Sequence, residues 1–160
     1  MILISFGGNL PSQFGPPEIT IALALEQMKK HGINILKFSN LYVTLAEPNN
    51  NQPKYINAVA NVETDLSPEK LLDILLSIER IYGRIRSYKN APRSLDIDIL
   101  CYNNLVNKDN PILPHPRLHE RAFVLVPMIE VAPNWIHPES GLYINDLILK
   151  LGNLDGISKF

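Results

Sequence analysis

A single cysteine, Cys101, leaves no partner for an internal disulfide and too few thiolates for a cysteine-built metal cage, so a reducing cytoplasm is the expected compartment. Neither sign of charge is in excess. The formal net charge of −1 excludes a nucleic-acid or membrane-surface binder that works by bulk positive charge, so the basic residues matter through their clustering. No apolar run approaches the ~20 residues that span a bilayer. Met1-Ile2-Leu3-Ile4-Ser5-Phe6 is too short for a signal-peptide core, lacks a basic start and runs into Gly7-Gly8. Repeats, low-complexity tracts and linker-like stretches are missing as well. With 46% hydrophobic residues in 160, the expectation is one domain over residues 1–160 built around a single core; a monomer is expected too, although composition does not decide it. Two absent motifs narrow the chemistry. Without Gly-x-x-x-x-Gly-Lys-[Ser/Thr], terminal phosphate transfer by a P-loop is not expected. Without a Gly-aromatic-Gly-aromatic pattern, a sheet of this kind lacks the stacking rings of an RNA platform.

What is present centres on residues 84–100. Leu95, Ile97 and Ile99 alternate with Asp96 and Asp98, so a strand here turns its apolar side chains to one face and both carboxylates to the other. Two carboxylates about 7 Å apart along a strand repel unless cations lie between them. A pair of Mg²⁺ ions about 4 Å apart, bridged by phosphate oxygens, is one natural occupant. Just upstream lie Arg84, Arg86, Lys89 and Arg93, whose guanidinium groups match phosphate oxygens bidentately. The solvated face of a strand, its aspartates paired with an arginine-rich turn, fits the same pattern, and clustered charge alone does not separate the two.

Along the chain, residues 2–6 read as a buried strand closed by Gly7-Gly8-Asn9. Pro16-Pro17-Glu18 starts a helix that His31-Gly32 stops. Residues 33–44 are rich in β-branched and aromatic types, with an alternation that slips between Ile35 and Leu36, as in a bulged strand. Residues 45–54 carry two prolines and no apolar period, and read as a surface loop. In residues 55–64, Ile56, Ala58, Ala60 and Val62 face inward; Tyr55 and Asn57 share the other face, where a ring and an amide can stack on a flat heterocycle and bond its edge. From the residues alone, a plain wet strand face is the simpler reading. Ser67-Pro68-Glu69 caps a helix with Leu71, Leu75, Ile78 and Tyr82 as its core stripe and Gly83 as its stop. Glu79, near that stop, suits a local ion pair as well as a ligand contact. His115 is pinned between Pro114 and Pro116, Arg121 and Phe123 open an apolar helical turn, Trp135 and His137 read as structural, and residues 144–151 form a C-terminal amphipathic helix. The order β-α-β-β-α-β predicts an α+β ferredoxin-like sandwich, one mainly antiparallel sheet with helices on one face.

Gly83-Arg84-Ile85-Arg86 and Pro92-Arg93-Ser94-Leu95-Asp96-Ile97-Asp98-Ile99-Leu100 resemble the signature of the 6-hydroxymethyl-7,8-dihydropterin pyrophosphokinase family. Leu113-Pro114-His115-Pro116 with Arg121-Ala122-Phe123-Val124-Leu125, Phe6-Gly7-Gly8-Asn9-Leu10, and Gln52-Pro53-Lys54-Tyr55-Ile56-Asn57-Ala58 resemble its remaining blocks. Departures fall at Gly8, where serine is usual, and in the loops at residues 45–54 and 87–91.

The resemblance implies a Mg²⁺-dependent enzyme of folate biosynthesis that moves a diphosphate from ATP to the pterin alcohol. It implies Asp96 and Asp98 as holders of two Mg²⁺ ions and Arg84 and Arg93 as catalytic groups. Glu79, Arg84, Arg93, Ile99, His115 and Arg121 are implied at the ATP site. Gly8, Thr44, Tyr55, Asn57, Asp96 and Phe123 are implied at the pterin site. The loops at residues 45–54 and 84–93 are expected to wall the groove.

Overall fold

The computed structural model describes residues 1–46, 51–83 and 91–160. Arg84, with Arg86 and Lys89, lies outside the described residues, as do residues 47–50 and 84–90 of the two expected loop walls.

The chain runs β1 (Ile2–Gly8), α1 (Pro17–Lys30), β2 (Asn34–Phe38), β3 (Tyr42–Thr44), β4 (Tyr55–Glu63), α2 (Pro68–Ile81), β5 (Asp96–Tyr102), a 3₁₀ turn at Leu118–Glu120, α3 (Ala122–Val131), α4 (Ile144–Leu151) and β6 (Ile157–Lys159). Local chemistry explains most of these limits. Proline occupies the first turn of α1 and α2, where its missing N–H costs nothing. Ser67 Oγ accepts the Lys70 N–H at 3.3 Å to cap α2, and Gly83 leaves that helix at φ +82°, a conformation that favours glycine. The slip expected near Ile35 appears as a register shift between Ile35 and Lys37 in the β2–β4 ladder.

The strands form one antiparallel sheet in the order β5-β1-β4-β3-β6, with β2 also pairing β4. Strand β4 is thereby inserted between β1 and β3, and β1 between β4 and β5, which is the split β-α-β pattern of the expected ferredoxin-like α+β architecture. Helices α1 and α2 cover one face: Ile21, Met28, Leu71, Leu75 and Ile78 pack on Ile2, Ile4, Phe6, Val62 and Ile97.

The expected single core and single helical face need correcting. The opposite face carries a second buried cluster, in which Val124, Leu125 and Met128 of α3 and Ile144 and Leu147 of α4 meet Leu3, Val59, Leu100 and Cys101. The central strands are apolar on both sides there, so that half of the face needs its own cover. Helix α3 lies across β4 and leaves the other half open as a cleft. Among the described residues no helix is long and apolar enough to cross a membrane.

Candidate active site

Alternation on β5 sends Leu95, Ile97 and Ile99 into the core and leaves Asp96 and Asp98 lining the cleft. Strand β5 is at the sheet edge, with Asp96 opposite Gly7 and Asp98 opposite Ser5 of β1. A Cβ on Gly7 would lie 3.4 Å from Asn57 Oδ1, so the floor between Asp96 and the Asn57 amide is bare backbone. The cleft encloses about 790 Å³. It runs from β5 across β1 to Tyr55 and Asn57 of β4 and Thr44 of β3, under Arg121 and Phe123 at the start of α3.

The β5 end is a mixed-charge cluster. Arg93 Nη1 lies 3.0 Å from Asp96 Oδ2, and Arg121 Nη1 lies 3.9 Å from Asp98 Oδ2. Arg93 Nε is buried with no hydrogen-bond partner among the described residues, so this guanidinium keeps a donor in reserve. Burial opposes its charge, but Asp96, Tyr55 and Asp98 together hold its pKa above the ordinary value. Arg121 is lowered, by burial first and then by the like charges of Arg117 and Arg93 against the pull of Asp98 and Asp96. Cations crowded in this way gain from an anion placed among them. Each also lies over an aromatic ring, Arg93 Cζ at 6.0 Å from the Tyr55 centroid and Arg121 Cζ at 5.7 Å from that of Phe123.

His115 joins them through its backbone, whose N–H donates to the Leu100 carbonyl at 2.8 Å. Burial, then Arg121 and Arg117, push its pKa down to about 4, so the ring is neutral near pH 7. Nδ1 accepts the Arg117 N–H at 3.2 Å, which assigns the proton to Nε2 and makes that nitrogen a donor.

At the β3 end, Asn57 Nδ2 donates to Thr44 Oγ1 at 2.9 Å, and both side chains are buried. Tyr55 belongs to the sheet layer and Phe123 to the helix layer above it, so the cleft has aromatic groups on two sides.

Three expected site residues present no side chain to the cleft. Glu79 is 1% exposed and does not line the cleft; its Oε1 accepts the Ile97 N–H at 2.7 Å and satisfies the outer edge of β5. The Ile99 side chain is core, although antiparallel alternation turns its peptide groups, like those of Ile97, away from β1. Gly8 does not line the cleft. A Cβ there would fall 2.5 Å from the Ser94 carbonyl oxygen, so its missing side chain lets the end of β1 close on residues 93–94.

Asn9, read above only as part of the turn that closes β1, is a residue to which the sequence assigned no place at the site. It is 3% exposed and joins three loops. Its Oδ1 accepts the Arg93 N–H at 2.9 Å, its own N–H donates to the Arg93 carbonyl at 2.9 Å, and its Nδ2 donates to Gln52 Oε1 and the Pro53 carbonyl at 3.2 and 3.1 Å. A buried amide holding both backbone groups of Arg93 sets where that guanidinium starts. Asn9→Ala leaves the Arg93 N–H unpaired, so unfolding by urea is expected to show a loss of about 1–3 kcal/mol. Turnover of the substrates proposed below should fall with it, whereas unchanged stability would show that the tie is not made.

The model of the family described as 7,8-dihydro-6-hydroxymethylpterin-pyrophosphokinase (HPPK) matches residues 3–133. The chain is 37% identical over 155 residues to the folic acid synthesis protein fol1 of Pneumocystis carinii, covering 96% of this chain but only 20% of that protein. It is 36% identical over 147 residues to the 2-amino-4-hydroxy-6-hydroxymethyldihydropteridine pyrophosphokinase of Haemophilus influenzae, covering 91% of this chain and 89% of that one. The HPPK-DHPS crystal structure of Plasmodium falciparum A437G with SDX-DHP shares the fold, with a TM-score of 0.75 at 15% identity over 93% of this chain and 45% of that one. The chain thus spans about a fifth of its fungal relative and most of its bacterial one, and with the matched residues carrying the whole cleft floor, it belongs to the 7,8-dihydro-6-hydroxymethylpterin-pyrophosphokinase family.

Proposed function

We propose that this chain catalyses the Mg²⁺-dependent transfer of a diphosphate from ATP to the hydroxymethyl group of 6-hydroxymethyl-7,8-dihydropterin, releasing AMP, within folate synthesis. The observation that carries this reading is the layout of one cleft floor. Asp96 and Asp98 with the spare buried donor of Arg93 lie at one end and the Thr44–Asn57 pair at the other, in a cleft that Tyr55 and Phe123 also line.

The donor set fits Mg²⁺ that arrives with nucleotide. Two carboxylates supply too few oxygens for an octahedron, and among the described residues no group of three or more His, Cys, Asp or Glu comes together. Asp96 and Asp98 would hold the ions against phosphate oxygens, and the ions would neutralise charge on the triphosphate. Arg93 and Arg121, with the neutral His115 Nε2–H, would donate to the remaining phosphate oxygens, and Arg84 is assigned to the same task. The outward peptide groups of Ile99 would meet the nucleotide base. Tyr55 and Phe123 would stack on the pterin and Asn57 and Thr44 would bond its edge, aiming the alcohol across the bare Gly7 backbone. The alcohol oxygen bonds to the β-phosphorus, the bridge to the α-phosphate breaks, AMP departs, and the hydroxyl proton passes to solvent. Positioning and charge neutralisation carry such a step without a strong base. A cytoplasmic monomer is part of the same proposal.

The test is the bond that breaks. With ATP, Mg²⁺ and the pterin alcohol, chromatography should show AMP rising in step with pterin consumption. ADP, or no pterin-dependent turnover, would sink the reading.

A further inference from the structure

The family match stops at residue 133, yet the cleft wall at the β6 edge of the sheet is built from residues beyond it. Strand β6 lies beside β3, with Ile157 opposite Thr44 and Lys159 opposite Tyr42. Lys159 Nζ is 3.3 Å from Glu130 Oε1, and the same carboxylate accepts the Tyr42 hydroxyl and the Asn40 N–H, both at 2.7 Å. Burial alone would raise the Glu130 carboxyl, but these bonds hold it down at about 2, so α3, β3 and β6 are locked around one anion. Before β6, Gly152 ends α4 at φ +72° and Gly156 turns the chain at φ +81°. Between them Asn153 Oδ1 accepts the Asp155 N–H at 2.7 Å. Held at both ends, this turn places Asn153, Asp155 and Gly156 on the cleft wall.

Distance assigns the wall to one substrate. Strands lie about 4.8 Å apart, so Thr44 on β3 is three spacings, about 14 Å, from β5, and β6 is one spacing further. An acceptor whose alcohol reaches the Asp96–Asp98 end therefore points the opposite edge of its ring toward β3 and β6. In a 2-amino-4-oxopteridine that edge carries the exocyclic amine and a ring N–H, two adjacent donors, and an ionised carboxylate is an acceptor with two oxygens.

We propose that the turn at residues 153–156 closes the acceptor end of the cleft, with Asp155 receiving an exocyclic N–H of the amino-substituted ring edge beside the Asn57–Thr44 pair. Asp155 is then a specificity-determining residue; this rests on the proposed function above.

Steady-state kinetics of the full chain, with Asp155→Asn and Asp155→Ala, test it. The acceptor KM is expected to rise about tenfold to a hundredfold, the loss of one charge-assisted hydrogen bond. The KM for ATP should stay within about twofold, and the thermal midpoint should not move. The wild type should also reject an acceptor bearing oxygen in place of the 2-amino group more strongly than either variant does. An unchanged acceptor KM in both variants overturns the proposal, as does a parallel rise in both KM values with a falling midpoint. Failure of the wild type to turn over the pterin alcohol would overturn the proposed function itself, and the wild-type control separates that outcome from failure of Asp155 alone.

Discussion

Asp98→Asn is expected to reduce kcat for diphosphate transfer by about a thousandfold or more, since losing several kcal/mol of metal-borne charge stabilisation costs tenfold per 1.36 kcal/mol. The fold should survive. The Asp98 side chain is 39% exposed and its ion pair with Arg121 is long at 3.9 Å, so an amide of the same shape disturbs little packing. Circular dichroism and the thermal midpoint should match the wild type. Calorimetry adds a sharper check on the same carboxylates. Mg²⁺ should bind weakly to the free protein and tightly beside a nucleotide analogue, because phosphate oxygens complete the coordination. Tight binding of Mg²⁺ without nucleotide, or near-normal turnover by the variant, would remove Asp98 from the metal site.

Glu79→Ala should show the largest loss of stability, about 3 kcal/mol, combining an unpaired Ile97 N–H with the void left by the truncated stem. Glu79 is buried between α2 and β5, and its 2.7 Å bond satisfies an edge strand that carries both aspartates. Glu79→Gln keeps an acceptor oxygen at the same reach and should cost less than about 1 kcal/mol if hydrogen bonding, more than charge, is what the site needs. Urea unfolding of the two variants gives the comparison. A raised KM for ATP with unchanged stability in Glu79→Ala would return this residue to the nucleotide site.

Legibility of the site followed the range of the interactions involved. The alternation of Leu95, Ile97 and Ile99 with Asp96 and Asp98 was readable because a strand sends successive side chains to opposite faces whatever surrounds it. The limits of α2 were readable for a similar reason, since Ser67, Pro68 and Gly83 act on the turn they occupy. By contrast, Glu79 on an amphipathic helix resembles any exposed acid near a helix end, and only the docking of α2 on β5 buries it. Gly8 suggested a ligand, but the group that excludes a side chain there is the Ser94 carbonyl, far along the chain.

Neighbouring residues are enough to put two carboxylates on one face of β5, arginines before it and a split β-α-β order along the chain. Which of the remaining polar groups meet depends on the packed fold. The Asn9 hold on Arg93 spans 84 residues, the Tyr42–Glu130 bond spans 88, and the covering of the second sheet face by α3 and α4 joins β1 to the end of the chain. Such contacts have no local period or cap to announce them. They arise when burial of two apolar faces brings distant loops within hydrogen-bonding distance, where a buried polar group must find a partner.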